Sequence, residues 1–189
     1  SLGVGSIILL LALYLLANNK RLYREVALRK QREQEILLLA RRDPLTGLPN
    51  RLNLMEQLKA QVKSDSPGYL LFCDLDDFKR INDNFGHSQG DALLCQLAQR
   101  INDAIGHHRF FARLAGDEFI LLLPGYNTHQ AEEVTEVIRQ AMEAPFVVNG
   151  QPMQVGISIG VSHYQSGWSP EQWLIQADRA MYCDKNGGF

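Results

Sequence analysis

Tyr69-Leu70-Leu71-Phe72-Cys73-Asp74-Leu75-Asp76-Asp77-Phe78 is the stretch on which the fold of this 189-residue chain turns. The apolar run 69–73 reads as a buried strand, and it passes directly into carboxylates, so acids stand at a strand's end. Side chains alternate along a strand, which puts Asp74 and Asp76 on one face. Asp76 or Asp77 is expected to cap a helix beginning at Phe78. Asp74 is still inside the strand, where capping does not explain it. A calcium loop of the EF-hand type is excluded, because Phe78 and Lys79 stand where that loop needs a ligand and a glycine.

Downstream, short strands predicted over 109–114 and 119–123 flank Ala115-Gly116-Asp117-Glu118, which makes a hairpin the simplest reading. Helices are predicted over 52–62, 78–84, 90–105 and 129–143. A strand pair is expected around Asn149-Gly150, with 154–161 as its second strand, and a last helix over 170–183. Helices interspersed with a mostly antiparallel sheet make an α/β fold of the α+β sandwich kind.

Consecutive acids at a hairpin tip repel one another unless something positive sits between them. Asp74 and the acidic turn together are therefore expected to hold a divalent metal and a nucleoside triphosphate. With no His or Cys nearby in sequence, the ion is a hard one, magnesium or manganese rather than zinc. The polar loop 82–91 contains Gly86 and Gly90, which permit close backbone approach. An Asp and an Asn facing one purine separate guanine from adenine, because guanine offers adjacent N1–H and N2–H donors.

The formal net charge of -2 gives no broad electrostatic case for nucleic acid, and 46% hydrophobic with 21% charged residues is ordinary globular composition. Cys73, Cys95 and Cys183 are far apart with no Cys-x-x-Cys spacing, which points to a reducing compartment. The apolar run 2–17 is read as the end of a transmembrane helix. About 16 helical residues span about 24 Å, short of the roughly 30 Å hydrocarbon core. Lys20, Arg21, Arg24, Arg29, Lys30 and Arg32 all follow it, which places the remainder on the cytoplasmic side of the inner (cytoplasmic) membrane. Residues 18–42 lack Gly and Pro and form a connecting helix, either a paired coiled coil or a solvated single helix, ended at Asp43-Pro44. Residues 43–189 make the main domain.

Several ordered motifs now stand together: Asp43-Pro44-Leu45-Thr46-Gly47-Leu48-Pro49-Asn50-Arg51, then 74–83, then Gly86-His87-Ser88-Gln89-Gly90-Asp91, then Arg113-Leu114-Ala115-Gly116-Asp117-Glu118-Phe119. With Ser158-Ile159-Gly160-Val161 and Ala177-Asp178-Arg179-Ala180-Met181-Tyr182, the chain from Asp43 onward resembles the GGDEF family of diguanylate cyclases. The resemblance implies a palm-like, nucleotidyl-cyclase-type sheet surrounded by helices, and a dimer that joins two GTP into cyclic di-GMP with release of pyrophosphate. It also implies magnesium on Asp74, the carbonyl of Leu75 and Asp117. Asn82 and Asp91 would read guanine with His87 nearby, and Phe78 would line the substrate. Lys79 and Lys185 would neutralise the triphosphate, and Asp117 or Glu118 would help deprotonate the attacking 3′-hydroxyl.

Three departures from the family pattern stand out. Ala115 replaces the first glycine of the signature, which costs of order 1 kcal/mol if that position needs a positive φ. Phe189 stands where an arginine for phosphate is common. Gly106-His107-His108-Arg109 replaces the Arg-x-x-Asp of a product-feedback site, while Arg100 and Asp103 have that internal spacing about six residues early. A second reading is a GTP-binding regulatory module that controls an adjoining EAL phosphodiesterase domain, suggested by Ala115, Phe189 and Ala180-Met181-Tyr182.

Overall fold

The computed structural model describes residues 2–187, which fall into two units dividing after Ala40. The first is a single helix, α1 (Leu2–Ala40), continuous through the boundary drawn at Ala17. On its surface Arg21 pairs with Glu25 at 3.1 Å and Arg29 with Glu33 at 3.0 Å. Such i,i+4 pairs each contribute about 0.2–0.5 kcal/mol. Among the described residues no helix is long and apolar enough to cross a membrane. The run 1–17, read as only the end of a spanning helix, gives way at Asn18-Asn19-Lys20-Arg21, so the described residues show no complete transmembrane helix.

The second unit orders α2 (Arg51–Ser64), β1 (Gly68–Leu75), α3 (Phe78–Phe85), α4 (His87–Ile105), β2 (Phe110–Ala115) and β3 (Glu118–Pro124). It continues through α5 (Thr128–Glu143), β4 (Phe146–Val148), β5 (Gln151–Met153), β6 (Ile157–His163) and α6 (Pro170–Lys185). Four strands form an antiparallel sheet in the order β2-β3-β1-β6, and β4 and β5 form a separate two-stranded one. The α+β architecture is the expected one.

The apolar runs are continuous because the sheet is covered on both faces. Leu71, Cys73, Phe119 and Leu121 pack with Leu93, Leu97 and Ile101 of α4 and Ile138 of α5. Leu70, Phe72, Ile120 and Leu122 pack on the other side with Leu54 and Leu58 of α2 and Trp173, Ala177 and Met181 of α6. Helix α6 comes close because residue 160 is a glycine: a Cβ there would collide with the backbone of Met181 and Ala177. Its N-terminus is set by a capping box of Ser169 and Gln172 with Pro170 in the first turn.

The region after α5 differs from expectation. Asn149 (φ +49) and Gly150 (φ +81) do turn a hairpin, but its strands are β4 and β5. Residues 154–156 leave the ladder, and β6 pairs with β1 instead. The break is anchored far away, by Asp76 of the β1–α3 turn. Its N–H donates to Gly156 O at 3.0 Å, and a Cβ on residue 156 would lie 2.5 Å from its Oδ2. Helix α4 begins at His87 rather than Gly90, so Gly90 lies within its first turn.

Candidate nucleotide and metal site

At the end of the central strand, Asp74 pairs across the ladder with Glu118 on one side and with Ser158 on the other. The β2–β3 hairpin turns through Gly116 and Asp117, with Ala115 opposite Glu118. Antiparallel partners directly opposite share a face, so the pairing brings Asp74 to the acidic turn, as predicted. The left-handed conformation falls on Gly116 (φ +47), and Ala115 is not among the described non-glycine residues with positive φ, which are Asp65, Asp77 and Asn149. The backbone cost expected at Ala115 does not arise, because β2 runs in extended form through that residue.

What holds the turn was not legible beforehand. Arg113 Nε donates to Gly116 O at 2.8 Å, its Nη1 to Asp43 Oδ1 at 2.9 Å, and its backbone N–H to Pro49 O at 2.9 Å. Asp43 Oδ1 also accepts from Thr46 N at 2.8 Å and Thr46 Oγ1 at 2.7 Å. The Asp43-Pro44-Leu45-Thr46 segment thus buttresses the acidic turn through one guanidinium. Burial works to raise the Asp43 carboxyl, but the hydrogen bonds from Thr46 and Arg113 hold it below the usual carboxylate value.

Charge at the sheet end is unbalanced. Lys185 Nζ pairs with Asp74 Oδ1, and that hydrogen bond raises the ammonium above the usual lysine value. Asp117 is pushed up first by desolvation and then by the charge of Asp74, against the pull of Lys185 and Arg113. Glu118 is pushed up by desolvation and by Asp74, Asp117 and Asp178, with Arg51 opposing. No group of three or more His, Cys, Asp or Glu side chains among the described residues is arranged to hold a metal. The predicted set needs only two carboxylates, Asp74 and Asp117, with a carbonyl from Leu75, whose side chain is buried. An all-oxygen set of net negative charge fits a hard divalent cation.

The residues expected to read the base stand on α3 and α4, the two helices that follow β1. Asn82 of α3 packs against Gly90 of α4, where any Cβ would collide with its Oδ1, and Phe78 Cζ lies 3.2 Å from the same point. Asp91 follows Gly90 on the exposed surface of α4, and His87, also exposed, opens that helix. Lys79 is exposed in the first turn of α3. The structure therefore brings Asn82 and Phe78 to the Gly90-Asp91 step.

Neither Asp76 nor Asp77 caps α3 with its side chain. Asp77 stands at the cap position with φ +55 and no side-chain cap hydrogen bond, and Asp76 Oδ1 instead accepts from Ser158 Oγ at 2.6 Å. Arg100 donates to the carbonyls of Ala141, Ala144 and Pro145 and stacks on Phe146, and Asp103 pairs with His107 at 3.0 Å. Phe189 lies outside the described residues. A cavity of about 700 Å³ lined by Thr46, Pro49, Cys95 and His108 touches none of the predicted site residues. Glu118 lines a separate groove of about 440 Å³ with Arg51, Phe72 and Asp178.

An antiparallel palm-like sheet with covering helices, carrying acids at the end of its central strand, defines an α+β domain of the nucleotidyl-cyclase type. The chain belongs to the GGDEF family, whose model, described as "Diguanylate cyclase, GGDEF domain", matches residues 40–189. It is 38% identical over 151 residues to diguanylate cyclase DgcP of Pseudomonas aeruginosa, covering 77% of this chain and 22% of that protein. It is 35% identical over 160 residues to the bifunctional diguanylate cyclase/cyclic di-GMP phosphodiesterase MucR of the same organism, covering 82% and 23%. The chain thus spans about a fifth of the length of these curated relatives. Among solved structures, the coiled coil and GGDEF domain of DgcB from Caulobacter crescentus, in complex with c-di-GMP, matches with a TM-score of 0.82 at 25% identity. That match covers 92% of this chain and 95% of the other.

Proposed function

We propose that this chain is a diguanylate cyclase that condenses two GTP into cyclic di-GMP as a homodimer, releasing pyrophosphate. The observation that carries this reading is the register pairing Asp74 with Glu118 beside Asp117, with Lys185 as the cation at Asp74. The 3′-oxygen of one GTP attacks the α-phosphorus of the other, the bond to pyrophosphate breaks, and the same exchange repeats to close the ring. Asp117 or Glu118 takes the hydroxyl proton, a role suited to carboxyls raised above their usual values. A magnesium or manganese ion held by Asp74, the Leu75 carbonyl and Asp117 supplies charge neutralisation and orientation of the triphosphate when bound.

Asn82 and Asp91 orient guanine, with Phe78 and His87 bordering the base, while Lys79 and Lys185 offset phosphate charge. Facing of two such sites depends on pairing of the helix over 18–42. The same reading places domain 43–189 in the cytoplasm beside the inner membrane, supported by the order of apolar run and basic cluster; membrane fractionation tests it.

The regulatory reading, a GTP-binding module controlling an EAL phosphodiesterase domain, has one specific support, the likeness to bifunctional MucR. Incubation with GTP and magnesium, followed by chromatography, separates the two. Cyclic di-GMP is the expected product, and micromolar GTP binding without it would sink the cyclase reading.

A further inference from the structure

Asp184 stands in the last turn of α6, one residue before Lys185, where the helix dipole disfavours an acid. Its Oδ2 nevertheless accepts two hydrogen bonds at 2.9 Å, one from Arg139 Nη2 of α5 and one from the backbone N–H of Ile159 in β6. Strand β6 is at the edge of the sheet, where N–H groups that point away from the neighbouring strand need another acceptor. A single carboxylate oxygen thus ties the end of α6 both to α5 and to the sheet edge. One residue on, Lys185 reaches Asp74 of the central strand. Ile159 is the β1 partner of Cys73, the residue next to Asp74, so hook and site share one stretch of the ladder.

Helix ends fray, and a lysine on a loose last turn would sample many positions away from Asp74. We propose that Asp184 is a positioning residue: by docking the last turn of α6 on Arg139 and Ile159, it sets where the Lys185 ammonium stands for the metal–triphosphate. The proposal rests on the nucleotide reading above only for that last clause; the docking itself is independent of it.

The test uses Asp184→Ala, Asp184→Asn and Lys185→Ala in the full chain. Amide hydrogen exchange without nucleotide is expected to quicken roughly tenfold or more at Ile159 and over 181–185 in Asp184→Ala, with 170–178 unchanged. Asp184→Asn keeps an acceptor for Ile159 but loses the ion pair, and gives an intermediate effect. In turnover with magnesium and GTP, Asp184→Ala is expected to raise KM roughly 5–10-fold with kcat within about twofold. Added to Lys185→Ala, it should change KM by less than about twofold, because the side chain it positions is gone. Unchanged exchange over 181–185, or independent multiplicative effects of the two substitutions on KM, would overturn the proposal. A parent chain that neither binds nor converts GTP overturns the cyclase reading instead, and the nucleotide-free exchange measurement tells the two failures apart.

Discussion

The guanidinium of Arg113 pairs at 2.9 Å with the carboxylate of Asp43, which lies 70 positions earlier in the chain, and both side chains are largely shielded, at 12% and 17% exposure. The same guanidinium holds the carbonyl of Gly116, so the pair fixes the acidic turn from below. Removing one partner of such a pair leaves the other charge poorly solvated. Asp43→Ala is expected to lower stability by about 3 kcal/mol and to lower turnover with it, measured as a shift in the denaturation midpoint. Because the folded Asp43 carboxyl lies below its ordinary 3.8, its contribution is fully present above that value. It is lost as pH falls through the folded value, and Asp43→Asn should flatten that acid limb.

Asp117 has the opposite sign. Its carboxyl is raised in the fold, so ionisation opposes folding, and stability falls as pH rises through the raised value. Asp117→Asn is expected to stabilise the chain by about 1 kcal/mol while abolishing cyclic di-GMP formation. A thermal melt and a product assay on the same preparation check it, and a destabilised variant would contradict the cost of desolvating and crowding this carboxylate at the turn.

Ala115 and Gly116 make a paired experiment. Ala115→Gly relieves no strain and is expected to leave turnover within about twofold, with a loss of about 0.5–1 kcal/mol from added chain freedom. Gly116→Ala meets no neighbouring atom but must hold φ +47, which costs about 1–2 kcal/mol. A large gain in turnover for Ala115→Gly would show that the alanine methyl itself hinders the reaction.

Gly90→Ala probes base reading. The added methyl collides with the end of Asn82, a movable side chain, and presses on Phe78 Cζ at 3.2 Å, while alanine favours the helix by about 1 kcal/mol over glycine. Stability is expected to hold within about 1 kcal/mol, whereas KM for GTP rises roughly tenfold as Asn82 is displaced. Equilibrium denaturation and steady-state kinetics separate the two effects.

Most elements were legible because each sheet strand carries its own apolar pattern. The runs 69–73 and 119–123 are buried on both faces, so strand identity needed no knowledge of partners. Caps and edges were less legible. Asp77 sits where a capping acid belongs, yet its left-handed backbone leaves it without a side-chain cap bond, and Asp76 is taken up by Ser158, 82 residues on. The strand expected over 154–161 runs instead over Ile157–His163, since the break at Gly156 is made by that same distant Asp76.

The amino-acid sequence by itself determined the α+β class, the family, and the residue types at the site, because periodicity and motif order are local properties of the chain. Only the tertiary structure decided that Asp74 faces Glu118, that Arg113 binds Asp43, that Ala115 is unstrained, and that Asp184 hooks the helix bearing Lys185. These depend on ladder register, on backbone dihedrals, and on which glycines let segments approach closely. They are relations between residues far apart in the chain, and no local pattern encodes them.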